Sequence, residues 1–484
     1  MAILNAPQSG VTVRMYRQGL GDCFLLAFPS KAGKPFYMLI DCGIARTLAP
    51  NRQAPSIKEV VEHIRDSTGG RIDLLVVTHA HWDHIAGFHP SRGAAGIFQS
   101  MQIGQVWLPW TENPKDNQAT GYKKTVEKAH NALRTALSRA SNPASVQHIS
   151  NVLDFLGATG DDTGAAMKVV TGLVKNGEPK YLDPAQLHKP LTFPDVKARL
   201  YVLGPPRDMD YLRRMAPRKG ESYPGDGETK KKGSALTLAQ AFLLGAHVGD
   251  GLALSDEDRE LRNLCYPFDQ KLRIPTQEAE KDEYFRTHYY ETPIEGWRRI
   301  DDDWLGAGEG LVAYLDNYVN NTSLALAIEL PKSPKVLVFA ADAQMGNWLS
   351  WGDLTWTVND GGNDSSTVKI QDLLENAVLY KVGHHGSENA SFKQYVDMMT
   401  NAQLIAMLPV DEKDAHANRW DKMPWQPLVK HLKGEDSSNS SKRILVKMDE
   451  FPTQKPKEMS DGDWLKFKKQ YIEDRFYMQY TVTD

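Results

Sequence analysis

Three cysteines in 484 residues, Cys23, Cys42 and Cys265, are too few and too scattered for a disulfide framework or a thiolate metal knot. No apolar run approaches the length that spans a bilayer, so no membrane partner is expected. The N-terminal stretch MAILNAPQSG has no basic region followed by an apolar one, so no signal peptide is expected. A formal net charge of -4 supplies no general basic field, which removes composition-driven nucleic-acid binding and leaves only a local basic groove open. No internal repeat is visible. The expectation is a soluble, cytoplasmic protein. Its hydrophobic fraction of 41% suffices for a sizeable core, and its length allows two or three domains or one domain with large insertions.

What the sequence does have is concentrated in THAHWDHIAG, residues 78–87. Just upstream, IDLLVV at 72–77 is a short apolar run rich in β-branched side chains, which reads as a buried strand ending at the polar cluster. His79, His81, Asp83 and His84 then fall within six residues. On an extended backbone, alternation puts His79, His81 and Asp83 on one side, and a turn after Asp83 lets His84 join them. Imidazole and carboxylate suit a borderline divalent ion such as zinc. A lone histidine at a strand end is ordinary solvated polarity; three with an aspartate at this spacing point to a metal.

Taken in order, residues 11–16 alternate apolar and polar, as a strand with one buried face does. GLGD at 19–22 follows, a turn that uses glycine's backbone freedom, then strands at 23–28 and 36–40. The third strand ends at Asp41-Cys42-Gly43, and the three read as an antiparallel meander. Ser56 is placed to cap a helix over 57–66, whose Val60, Val61 and Ile64 form an apolar stripe, and Gly69-Gly70 ends it. Strand, helix, strand is a crossover unit. It sets the histidine cluster at the carboxyl end of a sheet strand, where α/β sheets place active sites.

Beyond His89 the chain is elaborated. Residues 104–108 read as a strand, and 121–140 and 169–175 as amphipathic helices, with breaks at Asn142-Pro143 and 157–164. A strand returns at 196–203. The Gly-, Lys-, Glu- and Pro-rich stretch 218–233 reads as a mobile loop, and its Lys230-Lys231-Lys232 as a solvated charge run. Residues 235–316 read as mostly helical and carry Glu280, Asp282, Glu283 and the acidic run 301–303. Strands at 320–328 and 336–340 then pair across a turn at 331–334, and the second leads into Ala341-Asp342-Ala343. A strand at 377–382 leads into Gly383-His384-His385-Gly386-Ser387. Aspartate and histidine at the ends of neighbouring buried strands are what completes a metal site.

These residues carry a family resemblance. His79-Ala80-His81-Trp82-Asp83-His84 matches the HxHxDH signature and resembles the metallo-β-lactamase superfamily. GLGDCFLL with LIDCG, NNTSLAL, AADA and LYKVGHHGS resemble, in that order, motifs of its ComEC-like branch, named for the DNA-uptake competence protein. The resemblance covers roughly 11–104 and 196–407, leaving out 235–316 and the stretch before 196. It implies a four-layer αββα sandwich with a large, mostly helical insertion. The whole chain, 1–484, is then one catalytic domain, with 110–195 and 205–316 as helical insertions or a cap. Residues 408–484 supply C-terminal strands and helices that complete the fold.

The resemblance also implies roles. His79 and His81 hold a first metal, Asp83, His84 and His384 a second, and Asp342 bridges them. His384 is preferred over His385 because it directly follows the strand-end glycine; His385 becomes a neighbouring acid or substrate contact. Asp22 lies near the metals, Asp41 supports them from behind, and Asn321, Ser323, Lys381 and Ser387 support the site or touch substrate. Ser387 and the N–H groups after Gly386 would bind phosphate if a helix began there. The family's further histidine for the first metal has no counterpart at Leu203-Gly204-Pro205-Pro206. His89, His130, His148, His188, His247 and His288 are the substitutes to check, and without one the first site is weak or empty.

The implied reaction is metal-dependent hydrolysis with one or two divalent ions, zinc foremost and manganese the alternative, and with Asp83 or Asp342 orienting the nucleophile. A phosphodiester substrate is favoured because the branch includes nucleases and phosphodiesterases, which makes nucleic acid a candidate partner. The alternatives are a lactone, thioester or other small ester, and a non-catalytic binding module that keeps its metal for structure. The long middle insertion would either bind a partner or cap the cleft, and its sequence names no particular protein partner.

Overall fold

The computed structural model describes residues 3–50, 52–124, 126–127, 162–175, 177–214, 216–223, 272, 274, 276–290, 319–331, 334–359, 365–418, 420–435, 443–456 and 459–483. Cys265, His130, His148, His247, the lysines at 230–232, the acidic run 301–303 and most of the helices expected over 121–140 and 235–316 lie outside them.

Strands are numbered in chain order. The first sheet takes β1 (Val11–Tyr16), β2 (Phe24–Phe28), β3 (Phe36–Ile40), β4 (Arg71–Val76), β5 (Gln102–Pro109) and β6 (Lys180–Leu182), and from the C-terminal end β16 (Tyr471–Glu473) and β17 (Tyr477–Val482). Its order is β16-β17-β1-β2-β3-β4-β5-β6. The second takes β7 (Leu191–Phe193), β8 (Val196–Val202), β9 (Leu326–Glu329), β10 (Val336–Phe339), β13 (Ala377–Lys381), β14 (Ile405–Leu408) and β15 (Ile444–Lys447), in the order β15-β14-β13-β10-β9-β8-β7. A separate hairpin pairs β11 (Thr355–Asn359) with β12 (Ser365–Lys369).

Period-two alternation builds the layers. Met38 and Ile40 of β3 join Leu326, Ile328, Leu337 and Phe339 of the second sheet in the core between the sheets. Tyr37 and Leu39 point the other way, onto Val60, Val61 and Ile64 of helix Ile57–Thr68. On the second sheet, Val336, Val338 and Tyr380 face outward onto Trp348, Leu373, Leu374 and Val396. Helices therefore cover both outer faces of a pair of sheets, which is a four-layer αββα sandwich of the metallo-β-lactamase type.

Local chemistry accounts for the elements that set up the site. Ser56 caps helix Ile57–Thr68 through a capping box with Glu59, and Gly69 closes it in the left-handed conformation at φ 62°. That helix joins β3 to β4, which pair in parallel, so both strands deliver their carboxyl ends to one edge. In the second sheet β10 and β13 are likewise adjacent and parallel.

Three expectations need correction. Strand β1 is buried on both faces: Arg14 has its guanidinium bonded to Gln479 of the neighbouring strand β17 and to Ser67, so a charged residue occupies a covered position. The helix expected over 169–175 spans Asp162–Gly172, and Gly164 lies in its first turn, where an acidic start and the alanines that follow sustain it. The turn expected after Asp83 begins before it: Trp82–Ile85 form a helical turn that follows His81, so Asp83 does not share an extended backbone with His79 and His81.

By contacts the chain forms two compact units. One is Met1–Thr120, Gly160–Glu228 and Asn317–Asp484, which holds both sheets; the other is Gly121–Thr159 with Thr229–Asp316. In the second, Asp282 caps the short helix Glu283–Phe285 through its side chain, which gives that acidic residue a structural use. No helix among the described residues is long and apolar enough to cross a membrane.

Candidate metal centre

The loops after β3, β4, β10 and β13 carry Asp41, His79 to His84, Asp342, and His384 with His385. All four non-glycine residues with left-handed φ among the described residues lie here: Asp41 at 55°, Ala341 at 51°, His384 at 42° and His385 at 50°. Each costs roughly 1–2 kcal/mol relative to ordinary backbone. Strain of this kind persists only where the surrounding contacts over-determine it.

Two glycines allow the approach of these loops. A methyl group at Gly43 would lie 2.0 Å from the Asp83 carbonyl carbon and oxygen, and one at Gly21 would lie 2.6 Å from the same oxygen. Gly21 also has φ 145°. The Asp22 N–H donates to the Asp83 carbonyl at 3.0 Å, and the Gly43 N–H to the Asp22 carbonyl at 2.9 Å. The GLGD and LIDCG motifs are thereby stitched to the histidine loop.

Two histidines are anchored at Nδ1 with Nε2 turned inward. His84 Nδ1 lies 2.8 Å from Asp41 Oδ2, and the same carboxylate accepts from the Thr78 N–H at 2.8 Å and the Thr78 hydroxyl at 2.6 Å. His385 Nδ1 donates to the Pro409 carbonyl at 2.7 Å. His84 Nε2 is then 3.1 Å from Asp342 Oδ2 and 3.8 Å from Asp83 Oδ2. His385 Nε2 is 2.8 Å from Asp83 Oδ2 and 3.6 Å from Asp342 Oδ2. Donor atoms on one tetrahedral ion, each about 2.1 Å from it, stand roughly 3.4 Å apart. The ligand atoms of Asp22, His84, Asp342 and His385 all lie within 4.8 Å of one another. Asp22, however, faces the Nδ1 edges, at 3.9 Å from His84 and 3.7 Å from His385, while its other contact is Lys381 Nζ at 2.5 Å. It stands behind the inward-facing set, and Asp83 stands within it.

His79 Nε2 lies 3.1 Å from His81 Nδ1 and 3.1 Å from Asn320 Oδ1. The residue expected to ligate the second metal, His384, is placed elsewhere: its Nε2 is 3.2 Å from Asn320 Nδ2 and its Nδ1 2.8 Å from the Ser387 hydroxyl. Ser323 meets His79 Nδ1 at 3.4 Å and accepts from the Asp342 N–H at 3.2 Å. Asn321 turns away and fastens the loop: its amide donates to the carbonyls of Tyr211 and Leu212 at 2.9 Å, and its oxygen accepts from the Asn347 N–H at 2.9 Å. No helix begins at Ser387, whose N–H is taken by the His384 carbonyl at 2.9 Å, so the condition set for phosphate binding there is not met. His89 bonds Ser91 and faces Trp82, while His188 and His288 are exposed.

Electrostatics bear on whether these residues fit a metal. Asp22, Asp41, Asp83 and Asp342 are all 2% exposed or less, and Lys381, held between Asp22 and Asp342, is the ammonium among them. Buried carboxylates need compensating charge. In the metal-free protein protons supply it: burial pulls His84 and His385 down, but the surrounding carboxylates, Asp342 first, outweigh burial and raise both, His84 well above the usual histidine range. Burial raises Asp83 and Asp342, and the imidazolium and ammonium neighbours reverse this and hold both below the usual carboxylate range. Burial alone dominates at Asp22 and raises it. His79, His81 and His384 are driven down by burial, the last two to about 4, and stay neutral. One oxygen of Asp83 and one of Asp22 are buried with no hydrogen-bond partner. Inward-facing nitrogens, unpartnered carboxylate oxygen and a surplus of buried negative charge are together what a divalent cation satisfies. The residues fit one.

The fold and this donor set are those of a metal-dependent α/β hydrolase. Residues 17–97 match the family model of the metallo-beta-lactamase superfamily, a stretch that holds Asp22, Asp41 and the histidine loop. Asp342, Lys381 and His385 lie outside it and are brought in by the second sheet. No curated protein matches the chain at a significant level.

Asn320 is the site residue that sequence reasoning missed. The asparagine doublet was visible, but nothing in it told which side chain turns inward.

Proposed function

We propose that the protein is a metal-dependent phosphodiesterase. The observation that carries this reading is the pair of histidines, His84 and His385, anchored at Nδ1 with Nε2 facing Asp83 and Asp342. Metal-ligating histidines are typically held in this manner by a carboxylate or carbonyl behind them. Asp83, His84, His385 and Asp342 would hold one divalent ion; His79, His81 and Asp342 would face the other. Geometry favours His385 over His384 as the ligand, because His384 Nε2 faces Asn320.

When bound, such ions lower the pKa of water toward ~7 and polarise the phosphoryl oxygen. The chain's own residues position and charge the site. Lys381 holds Asp342 through one carboxylate oxygen at 3.2 Å and so keeps the other turned to His84. Asp83, with an unpartnered oxygen, is placed to accept a proton or orient a water. Phosphodiester chemistry is preferred over ester chemistry on the motifs GLGD, NNTSL and HHGS, which resemble those of the ComEC-like branch with its nucleases.

The test is hydrolysis of bis-nitrophenyl phosphate set against a panel of lactones, thioesters and nitrophenyl esters, after chelation and after adding back zinc or manganese. Metal-restored phosphodiester turnover supports the reading. Metal-restored ester turnover alone replaces it with a small-ester hydrolase.

A further inference from the structure

The two halves of the site differ in a way the proposed reaction does not require. The Nε2 atoms of His84 and His385 face carboxylate oxygens directly, whereas His79 Nε2 faces a carboxamide oxygen. Asn320 is fully buried, on a loop fixed at several points: the Leu324 N–H donates to the Thr78 carbonyl at 2.8 Å, directly before His79, and Asn347 donates to the Asn321 and Ser323 carbonyls at 3.1 and 2.9 Å. The amide therefore has little freedom to turn away.

Its orientation is set by a chain of hydrogen bonds. The Asn389 amide donates to Gln344 Oε1 at 2.8 Å, which leaves Asn389 Oδ1 to accept from the Ser387 hydroxyl at 3.1 Å. That hydroxyl, having spent its proton, accepts from His384 Nδ1 at 2.8 Å. His384 Nε2 is consequently a lone-pair atom, and it faces Asn320 Nδ2 at 3.2 Å. With its nitrogen engaged there, Asn320 presents Oδ1 to His79 Nε2 at 3.1 Å, the same separation at which His81 Nδ1 stands. Both distances from His79 Nε2 are near the separation of ligands on a single ion, about 3.4 Å for ideal tetrahedral geometry.

We infer that Asn320 supplies a further protein donor to the first half-site, beside His79, His81 and the shared Asp342, with His384 as the positioning residue that aims its oxygen. This rests on the metal-dependent reading above. A carbonyl oxygen is a harder donor than imidazole and carries no charge, and carbonyl and water ligands suit manganese and magnesium better than zinc. The first half-site is then the weaker of the two for zinc and the more permissive toward manganese.

The experiment is metal titration of the full-length chain after chelation, followed by calorimetry and by metal content after dialysis, with zinc and with manganese. It compares wild type with N320D and N320L, both near the size of asparagine; urea unfolding of each metal-free variant checks folding. Wild type should bind one tight and one weaker equivalent of zinc. N320L should lose about tenfold or more in the weaker equivalent and leave the tight one unchanged, and N320D should strengthen the weaker one. The inference is overturned if both variants titrate as wild type does, or if N320L lowers the metal-free urea midpoint while the weaker equivalent keeps its affinity, which is packing alone. A wild-type chain that takes up no ion overturns the hydrolase reading beneath it.

Discussion

His385 Nε2 meets an Asp83 carboxylate oxygen at 2.8 Å although 302 residues separate them in the chain. The contact crosses from the loop after β13 in the second sheet to the turn after β4 in the first, so the site exists only when both sheets are in place. The ligand assignment turns on this contact, and the two histidines next to each other can be told apart by mutation.

Replacing His385 with alanine should lower turnover at least about 100-fold and remove the tighter ion, as should Asp83→Ala. His384→Ala should keep the tighter ion and lose affinity only for the weaker one. Metal content of each dialysed variant checks this, with circular dichroism to confirm folding. A His384 variant that loses the tight ion while His385→Ala keeps it reverses the assignment.

Lys381 is buried between Asp22 and Asp342. Lys381→Ala leaves both carboxylates without their ammonium and should destabilise the metal-free protein by about 3–5 kcal/mol. A divalent ion added back supplies positive charge at the same place and should narrow the deficit. Urea unfolding in chelator and in zinc measures both; equal midpoints for variant and wild type in chelator contradict the charge argument.

Gly43 has space for a hydrogen and nothing larger, since a methyl group would overlap the Asp83 carbonyl. Gly43→Ala should push the Asp83 turn outward, costing about 1–3 kcal/mol of stability and about tenfold or more in metal affinity. Unchanged metal affinity in a folded Gly43→Ala protein contradicts the proposed stitching of the loops.

A pH effect should also come from His63, remote from the metal residues. Burial lowers its imidazole to about 4; it bonds the Tyr16 hydroxyl and stacks on Phe476. Because the folded value lies below the usual 6.5, acid protonates the unfolded chain first. Stability from this group is complete above pH 6.5 and falls as pH drops toward 4. His63→Gln in chelator should reduce the slope of stability against pH in that window by up to about one proton, or 1.4 kcal/mol per pH unit. An unaltered slope would falsify this.

Much of the fold is legible because burial imposes period. Tyr37 and Leu39 against Met38 and Ile40 show both faces of a covered strand, and Ser56 with Gly69 marks both ends of its helix. The cluster at His79, His81, Asp83 and His84 is legible because spacing along a short loop nearly dictates proximity. What spacing does not carry is rotation. His384 and His385 both sit in the left-handed region, at φ 42° and 50°, so strand alternation fails between them and the side chain that enters the acidic half is the second. The same holds for Asn320 and Asn321, where the partners that decide, Tyr211, Leu212 and Asn347, lie far away in sequence. The alternation over 11–16 does not show that Arg14 is covered, because its partners, Ser67 and Gln479, are likewise distant.

The most direct test of the central claim is metal content of the purified full-length chain by mass spectrometry, read beside the His385→Ala variant. About two divalent ions per wild-type chain are expected, unequal in affinity, with the tighter one missing from the variant. A wild-type chain without bound metal, even after zinc or manganese is supplied, contradicts that claim.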